Sequence, residues 1–265
     1  MELGKSAFYL IVCFLSSIAG AICGIGGGVI VKPLLDLFGK DSVSTISFLS
    51  GCMVLAMSTY SVTRSMIAGE KTVNTKTITP LAVGASVGGV VGKLLFDLIK
   101  NSFENPNRVG GVQASCLCVI TVGTLLYTVF KKRITQRQAN GVPSYIFIGL
   151  LLGLMSSFLG IGGGPINIVV LHFFFARDSK TAAANSLYII MFSQFASLVS
   201  TLVLRKTPSF SLLSLCLMVG GGILGSMCGR ALNKKMNNTA VDKLFIGMMS
   251  VIIFVCVYNA IRYFS

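Results

Sequence analysis

Long apolar stretches fill this chain from end to end, and they constrain its fold more than any other feature. A helix needs about 20 apolar residues to cross a hydrocarbon core about 30 Å thick. Hydrophobic residues make up 54% of the 265 residues and charged residues only 11%, which excludes an ordinary water-soluble domain, where about 25% are charged. The apolar runs predict an all-α membrane protein with about eight transmembrane helices, at residues 7–37, 43–63, 78–99, 110–130, 144–175, 181–204, 209–230 and 242–263.

The net charge of +14 comes from Lys and Arg residues that stand mostly between the apolar runs. Such charges are typical of the flanks of membrane spans, so the expected partner is the lipid bilayer and no nucleic acid is expected. The densest basic segment, residues 131–143, divides the chain into a first four-span unit at 1–130 and a second at 144–265. Alternate loops carry nearly equal numbers of Lys and Arg residues, so the excess of positive residues on cytoplasmic loops does not settle the orientation. The linker is expected in the cytoplasm because it is the densest basic segment. Four crossings per half would put both termini on the same side as the linker.

Two glycine motifs recur at almost the same distance along the chain. The segment Gly24 to Gly28, with the sequence GIGGG, recurs as Gly160 to Gly164, 136 positions later. A second set recurs 137 positions later, with Gly84, Gly88, Gly92 and Lys93 corresponding to Gly221, Gly225, Gly229 and Arg230. Weak internal symmetry of this kind is typical of transporters. The two matches therefore predict a duplicated four-span unit.

Each GIGGG segment is expected to break its helix, so the first and fifth helices are interrupted. Every glycine in a helix interior costs about 1 kcal/mol relative to alanine. As one straight helix, residues 7–37 would measure about 46 Å at 1.5 Å per residue, which is too long for an upright crossing. Non-helical backbone at membrane depth is tolerated where it lines a polar cavity. The two breaks are therefore expected to face such a cavity.

A half-helix that starts after each break would direct free N–H groups and a positive dipole end into this cavity. That arrangement favours a small anion. The predicted contacts with the anion are Gly24, Gly26, Gly27, Gly28, Gly160, Gly162, Gly163 and Gly164. Close helix packing is the alternative interpretation of membrane glycines, and we adopt it for the four-residue ladders around Gly88 and Gly225.

Five polar residues inside apolar runs are further candidate contacts for the substrate: Lys32, Ser47, Asn167, Asn185 and Ser186. Lys32 would add positive charge, and Asp36 one turn later is its candidate partner. Each also has a structural alternative, since polar side chains hold membrane helices together and a lysine can extend its amine to the membrane surface.

The single histidine, His172, is a candidate proton-coupling group, because an unperturbed histidine side chain has a pKa near neutral. An interfacial position without a proton role is the alternative. No second histidine or carboxylate cluster accompanies it, and no Cys-x-x-Cys pair occurs. A metal site is therefore not expected, and no cofactor is predicted.

At these motifs the chain resembles the sulfite exporter TauE/SafE family of membrane permeases. Gly24 to Leu34 is similar to the family pattern G-x-G-G-G-x-x-x-x-P-L. Lys180 to Leu187 is similar to the pattern K-x-A-x-x-T-S-L, although Asn185 replaces the usual threonine. In the first half, Ser47 is a loose counterpart of Ser186. The resemblance implies a permease in the plasma membrane that moves sulfite, organosulfonates or related small anions.

The expected function is secondary transport of a small anion by alternating access, because the chain has neither a nucleotide-binding P-loop nor room for a soluble ATPase domain. An enzyme is not expected, since His172 has no evident catalytic partner within the spans. A structural or assembly factor of the membrane is the alternative. It fits the composition but leaves the duplicated breaks without a purpose.

Overall fold

The computed structural model describes residues 2–38, 41–70, 75–102, 106–137, 139, 141–161 and 163–264. These residues form helices and connecting turns, with no strand among them. The ten α-helices are α1 (Glu2–Cys23), α2 (Gly28–Phe38), α3 (Val43–Ile67), α4 (Thr75–Ser102), α5 (Pro106–Phe130), α6 (Val142–Phe158), α7 (Pro165–Phe175), α8 (Ser179–Val203), α9 (Leu212–Lys235) and α10 (Asn238–Phe264). The predicted all-α class is confirmed.

The chain leaves helical geometry at both GIGGG segments. Residues 24–27 separate α1 from α2, and residues 159–164 separate α6 from α7. Gly24 and Gly160, which occupy equivalent positions, have φ angles of +72° and +65°. This left-handed conformation ends a helix and favours glycine over every residue with a side chain. Pro165 then takes the first position of α7, where its missing N–H costs no helical hydrogen bond.

The short helices α2 and α7 return toward the starts of the helices that precede them. The rings of Phe8 in α1 and Phe38 at the end of α2 have centroids 5.9 Å apart. In the second half, the rings of Tyr145 in α6 and Phe175 at the end of α7 are 5.2 Å apart. Eleven helical residues span about 16 Å, roughly half of a hydrocarbon core. Each pair, α1/α2 and α6/α7, is therefore a hairpin that enters and leaves at one end of the bundle.

Among the described residues, six helices are long and apolar enough to cross a membrane: α3, α4, α5, α8, α9 and α10. The prediction of eight crossings treated each interrupted apolar run as one crossing. It is not confirmed, because both runs fold back on themselves. Hydropathy reports how much apolar length a segment has and gives no information on its direction after a break.

The corrected topology also changes where the linker lies. Three crossings separate the first hairpin from residues 131–137, so this segment lies at the opposite end of the bundle from both chain ends. Lys131 forms an ion pair of 2.5 Å with Asp242 near the start of α10, and Arg262 near its end donates to the Leu37 carbonyl oxygen. We call the end with residues 131–137 the linker face and the end with Glu2 and Phe264 the terminal face.

The two glycine ladders let pairs of helices approach closely. Helix α4 packs against α6, and α9 packs against α1. A β-carbon added to the first ladder would overlap carbonyl oxygens of α6, with Gly84 at Ile146, Gly88 at Leu150 and Gly92 at Leu154. A β-carbon added to the second would crowd those of α1, with Gly221 at Leu10, Gly225 at Phe14 and Gly229 at Ile18. The packing role that we predicted for the ladders agrees with these contacts.

The ladder contacts predict a stability effect. Gly225→Val is expected to lower the free energy of unfolding by about 1–3 kcal/mol, because its side chain would overlap the backbone of Phe14. Gly220→Val in the same helix is the control, since a β-carbon there meets no atom within 4 Å. Thermal unfolding in detergent, followed by circular dichroism, measures the difference. Equal unfolding midpoints for the two variants would contradict the packing role.

Candidate functional site

The two glycine breaks meet inside the bundle. We call residues 24–27 the first tip and residues 159–164 the second tip. A β-carbon on Gly28, the first residue of α2, would overlap the carbonyl oxygen of Ile161 in the second tip. The same β-carbon would lie 2.8 Å from the side chain of Val54, near the middle of α3. The tips are therefore in direct contact near half the depth of the bundle.

Helix α8 passes both tips. A β-carbon on Gly24 would overlap the backbone of Ala183 in α8. About two turns further on, Ile190 lies 3.2 Å from the β-position of Gly26 and overlaps that of Gly163. Gly163 has a φ of +135°. The segment of α8 between these contacts is thus the wall shared by both tips.

The tips bring two helix starts together. Helices α2 and α7 begin at Gly28 and Pro165. The amides of Ile30 and Asn167 donate to the carbonyl oxygens of Gly27 and Gly164, whereas the earliest amides of a helix have no acceptor within their own helix. The positive ends of both helix dipoles therefore act on one region.

Several buried polar atoms on the helices that form or pass the tips have no hydrogen-bond partner among the described residues. They include both side-chain polar atoms of Asn185 and the hydroxyl of Ser186 on α8, with Oδ1 of Asn167 and the hydroxyl of Ser47. Asn185 and Ser186 are fully buried. More than about 90% of buried polar groups in proteins are hydrogen-bonded. A concentration of unpaired donors and acceptors is therefore typical of a place that receives a polar ligand.

Lys32 is buried beside the second tip. Its side-chain Nζ lies 3.1 Å from Oδ2 of Asp36 and donates to Oε1 of Gln113 at 2.9 Å. Its Cε lies 3.2 Å from the β-position of Gly160, and the hydroxyl of Ser47 lies 2.6 Å from the same position. At 3% exposure, Lys32 does not extend its amine to the membrane surface. The candidate pairing with Asp36 is present.

Gln113 on α5 is a site residue that the sequence interpretation missed. Its Oε1 accepts from Lys32, and its Nε2 donates to the carbonyl oxygen of Phe158 at 2.6 Å. It thereby connects the buried lysine to the last residue of α6, at the start of the second tip. A lone amide inside the apolar run 110–130 was the available signal, because polar side chains in spans connect helices or contact a ligand.

Cavities enter the bundle from both ends, and they differ greatly in size. The cavity on the linker face has a volume of about 350 Å³ and extends inward to Ala21, Ala183 and Leu187. On the terminal face, a pocket of about 20 Å³ contacts Ser47 and Gly160. The cavity at the linker face is therefore much the larger of the two.

The predicted site residues are not all at the tips. His172 lies near the outer end of α7, where its Nδ1 is 2.9 Å from the hydroxyl of Tyr127, and it lines a separate pocket with Lys131 and Asp242. A proton-coupling role for His172 therefore stays a prediction for a position away from the tips. Gly162 lies outside the described residues. Gly27 packs on Ser16 of α1, on the inner side of the first hairpin.

Comparisons with known proteins agree with this architecture. The profile of the family described as sulfite exporter TauE/SafE matches residues 9–255. The chain is 25% identical over 240 residues to the probable membrane transporter protein YunE of Bacillus subtilis (strain 168). The matched region covers 84% of this chain and 86% of that protein. No solved structure matches the chain. The protein is therefore a multi-pass membrane protein that belongs to the sulfite exporter TauE/SafE family of transporters.

Proposed function

We propose that this protein is a secondary transporter that moves a small anion across the plasma membrane by alternating access. The observation that carries the proposal is the contact between Gly28 and Ile161. It brings the starts of α2 and α7 to one place, beside the unpaired polar atoms of α8. A substrate at the tips would be held by helix-start amides, by Asn185 and Ser186, and by the charge of Lys32.

The chemistry of the tips favours a compact oxyanion. Helix N-termini stabilise a negative charge by about 0.3–1 kcal/mol each, and more when partly buried. The neighbouring donors are amides, hydroxyls and one paired ammonium, which suit the oxygens of a sulfur oxyanion or carboxylate. Sulfite, an organosulfonate or a related sulfur oxyanion is the proposed substrate, in agreement with the family description.

The arrangement of the hairpins supports a two-repeat transporter with inverted halves. Each proposed repeat, 1–130 and 144–265, would contain one hairpin and three crossings. The first hairpin enters from the terminal face and the second from the linker face. An odd number of crossings per repeat gives opposite orientations to the two halves, which is a common basis for alternating access. The large linker-face cavity corresponds to one of the two states, and the small terminal-face pocket would enlarge in the other.

The distribution of Lys and Arg supports a cytoplasmic linker face. Among the described residues, positive positions at the linker face are Arg64, Lys76, Lys131, Lys132, Arg133, Arg137, Arg177, Lys180, Arg230, Lys234, Lys235 and Lys243. Those at the terminal face are Lys5, Lys93, Lys100, Arg108, Arg205, Lys206 and Arg262. Cytoplasmic ends of spans carry an excess of such residues. We therefore propose that the linker lies in the cytoplasm, as expected, and that both chain termini lie on the opposite side of the membrane.

Reconstitution into liposomes tests the proposed function. Purified protein is expected to accelerate uptake of sulfite, or of one anion from a panel of sulfonates, thiosulfate, sulfate and carboxylates, over protein-free liposomes. The same anion is expected to raise the unfolding temperature of the wild type by mass action. Asn185→Leu is expected to lose most of this rise, whereas Ser250→Ala, on α10, is expected to keep it. If no anion in the panel is transported or stabilises the protein, the structural-factor alternative is favoured.

A further inference from the structure

The linker-face cavity carries a cluster of cations that the tips do not include. Among the described residues, its lining contains Lys180, Arg230 and Lys234 and one carboxylate, Glu70. Arg230 and Lys234 lie on the last two turns of α9, and Lys180 lies on the first turn of α8. Ala183, which also lines this cavity, contacts Gly24 of the first tip. A solute in this cavity is thus close both to the cations and to a residue that packs on the first tip.

One carboxylate holds two of these cations. Oε1 of Glu70 lies 2.8 Å from Nη2 of Arg230 and 3.1 Å from Nζ of Lys234. Its other oxygen accepts from the hydroxyl of Ser65 at 2.9 Å. Arg230 also donates to the carbonyl oxygen of Ser61 at 3.0 Å, which holds the guanidinium toward α3. Both carboxylate oxygens of Glu70 are therefore engaged in the cavity wall.

Glu70 is ionised at neutral pH. Partial burial acts to raise the pKa of Glu70. Hydrogen bonds from Lys234 and Ser65, together with the charge of Arg230, lower the pKa by more than burial raises it, so it lies below its usual value. An ionised carboxylate presents to Arg230 the same kind of oxygen that an anionic substrate would present. If an anionic substrate replaces the Glu70 carboxylate beside Arg230, the charge of Arg230 stays neutralised during the exchange.

The opposite end of the bundle has a similar cluster over a much smaller pocket. Asp97 lies 3.8 Å from Nζ of Lys93 and 3.3 Å from Nζ of Lys206, and the pocket that includes Lys93 measures about 20 Å³. Lys93 and Arg230 are equivalent in the repeat. The linker-face cluster thus differs from its counterpart in bordering a cavity of about 350 Å³, which has room for a small anion.

We propose that Arg230, Lys234 and Lys180 form an outer binding site for the anionic substrate, in which the substrate's oxygens displace Glu70 from Arg230 before the substrate reaches the tips. The inference rests on the proposed anion transport and adds a second, earlier site to it. Glu70 acts as a resident competitor. It neutralises the cations when the cavity holds no anion, and it weakens binding by the free energy of its own ion pairs.

Two variants with opposite expected effects test the outer site, with sulfite as the probe. Glu70→Gln removes the competitor and is expected to tighten sulfite binding to the detergent-solubilised protein about fivefold. Lys234→Gln and Arg230→Gln are expected to weaken it, the latter about tenfold or more. Lys235→Gln, adjacent on α9 and outside the cavity lining, is the matched control and is expected to bind as the wild type does. If Arg230→Gln does not fold, Lys234→Gln still tests the outer site.

The outcomes separate this inference from the proposed function. An unchanged dissociation constant in both Glu70→Gln and Lys234→Gln would overturn the outer site, even if the wild type transports sulfite. Conversely, opposite shifts in these two variants would support the outer site even if liposomes show no flux, in which case the transport proposal alone fails. Equal weakening by Lys235→Gln and Lys234→Gln would indicate a general surface-charge effect and would also overturn the site.

Discussion

Gly28→Ala is expected to reduce anion flux at least about tenfold. The added β-carbon would overlap the carbonyl oxygen of Ile161, a backbone atom that cannot rotate away. Gly28 is the first residue of α2 and its φ is not positive, so alanine fits the local backbone. The substitution is therefore expected to disturb the contact between the tips and to leave the backbone of α2 unchanged. Initial uptake rates in liposomes measure the effect.

Gly123→Ala is the control for this experiment, because an added β-carbon on that glycine of α5 meets no atom within 4 Å. Both variants are expected to be produced, inserted and purified as the wild type is. If Gly28→Ala transports at the wild-type rate, the close contact of the tips is not required for transport. If Gly123→Ala loses flux equally, the loss has a cause other than the tips.

Lys32→Met is expected to be the most destabilising single substitution near the site. It would leave the carboxylate of Asp36 buried without its cation, and Oδ1 of Asp36 already has no hydrogen-bond partner among the described residues. Removing one partner of a buried ion pair costs about 3–5 kcal/mol, whereas replacing both partners by apolar residues is often nearly neutral. The double variant Lys32→Met/Asp36→Leu is therefore expected to recover most of the lost stability. Thermal unfolding in detergent checks both changes.

The double variant also tests whether Lys32 contacts the substrate. Its Cε lies 3.2 Å from the β-position of Gly160, close enough for the ammonium to act at the second tip. We expect the stable double variant to need a substrate concentration at least about tenfold higher for half-maximal flux, as for a lost charged hydrogen bond. If the double variant has the KM of the wild type, Lys32 does not contact the substrate and its role is structural. Lys243→Met, an exposed lysine on α10, is the control.

The breaks in the helices could be predicted from the sequence because their cause is local. A cluster of glycines destabilises any helix, whatever surrounds it. The helix bounds at Cys23, Gly28, Phe158 and Pro165 follow the glycines closely. The packing role of the ladders was equally local, since small residues at four-residue spacing form a flat helix face.

The direction of the chain after each break was not predictable in this way. A glycine turn permits both continuation and reversal. Reversal is fixed by contacts between distant residues, such as Phe8 with Phe38 and Tyr145 with Phe175. The number of crossings and the side of the termini both depend on this single point.

The candidate site shows the same division. Glycines, Lys32, Asn185 and Ser186 were identified because each is unusual in its own apolar surroundings. Gln113 was missed and the distance of His172 from the tips was not predicted, since neither position is set by neighbours in sequence. The cations of the outer site come from α8 and α9 and their carboxylate from the turn after α3, so no sequence spacing joins them.

Hydrophobicity and glycine content act within a few residues of the chain, so its place in a membrane, its helical structure and the interruption of two apolar runs follow from sequence alone. The reversal of the interrupted runs, the contact of Gly28 with Ile161 and the cationic cavity at one end of the bundle are evident only once the chain is folded. They depend on packing between residues that are distant in the sequence, whose free energy no local pattern contains.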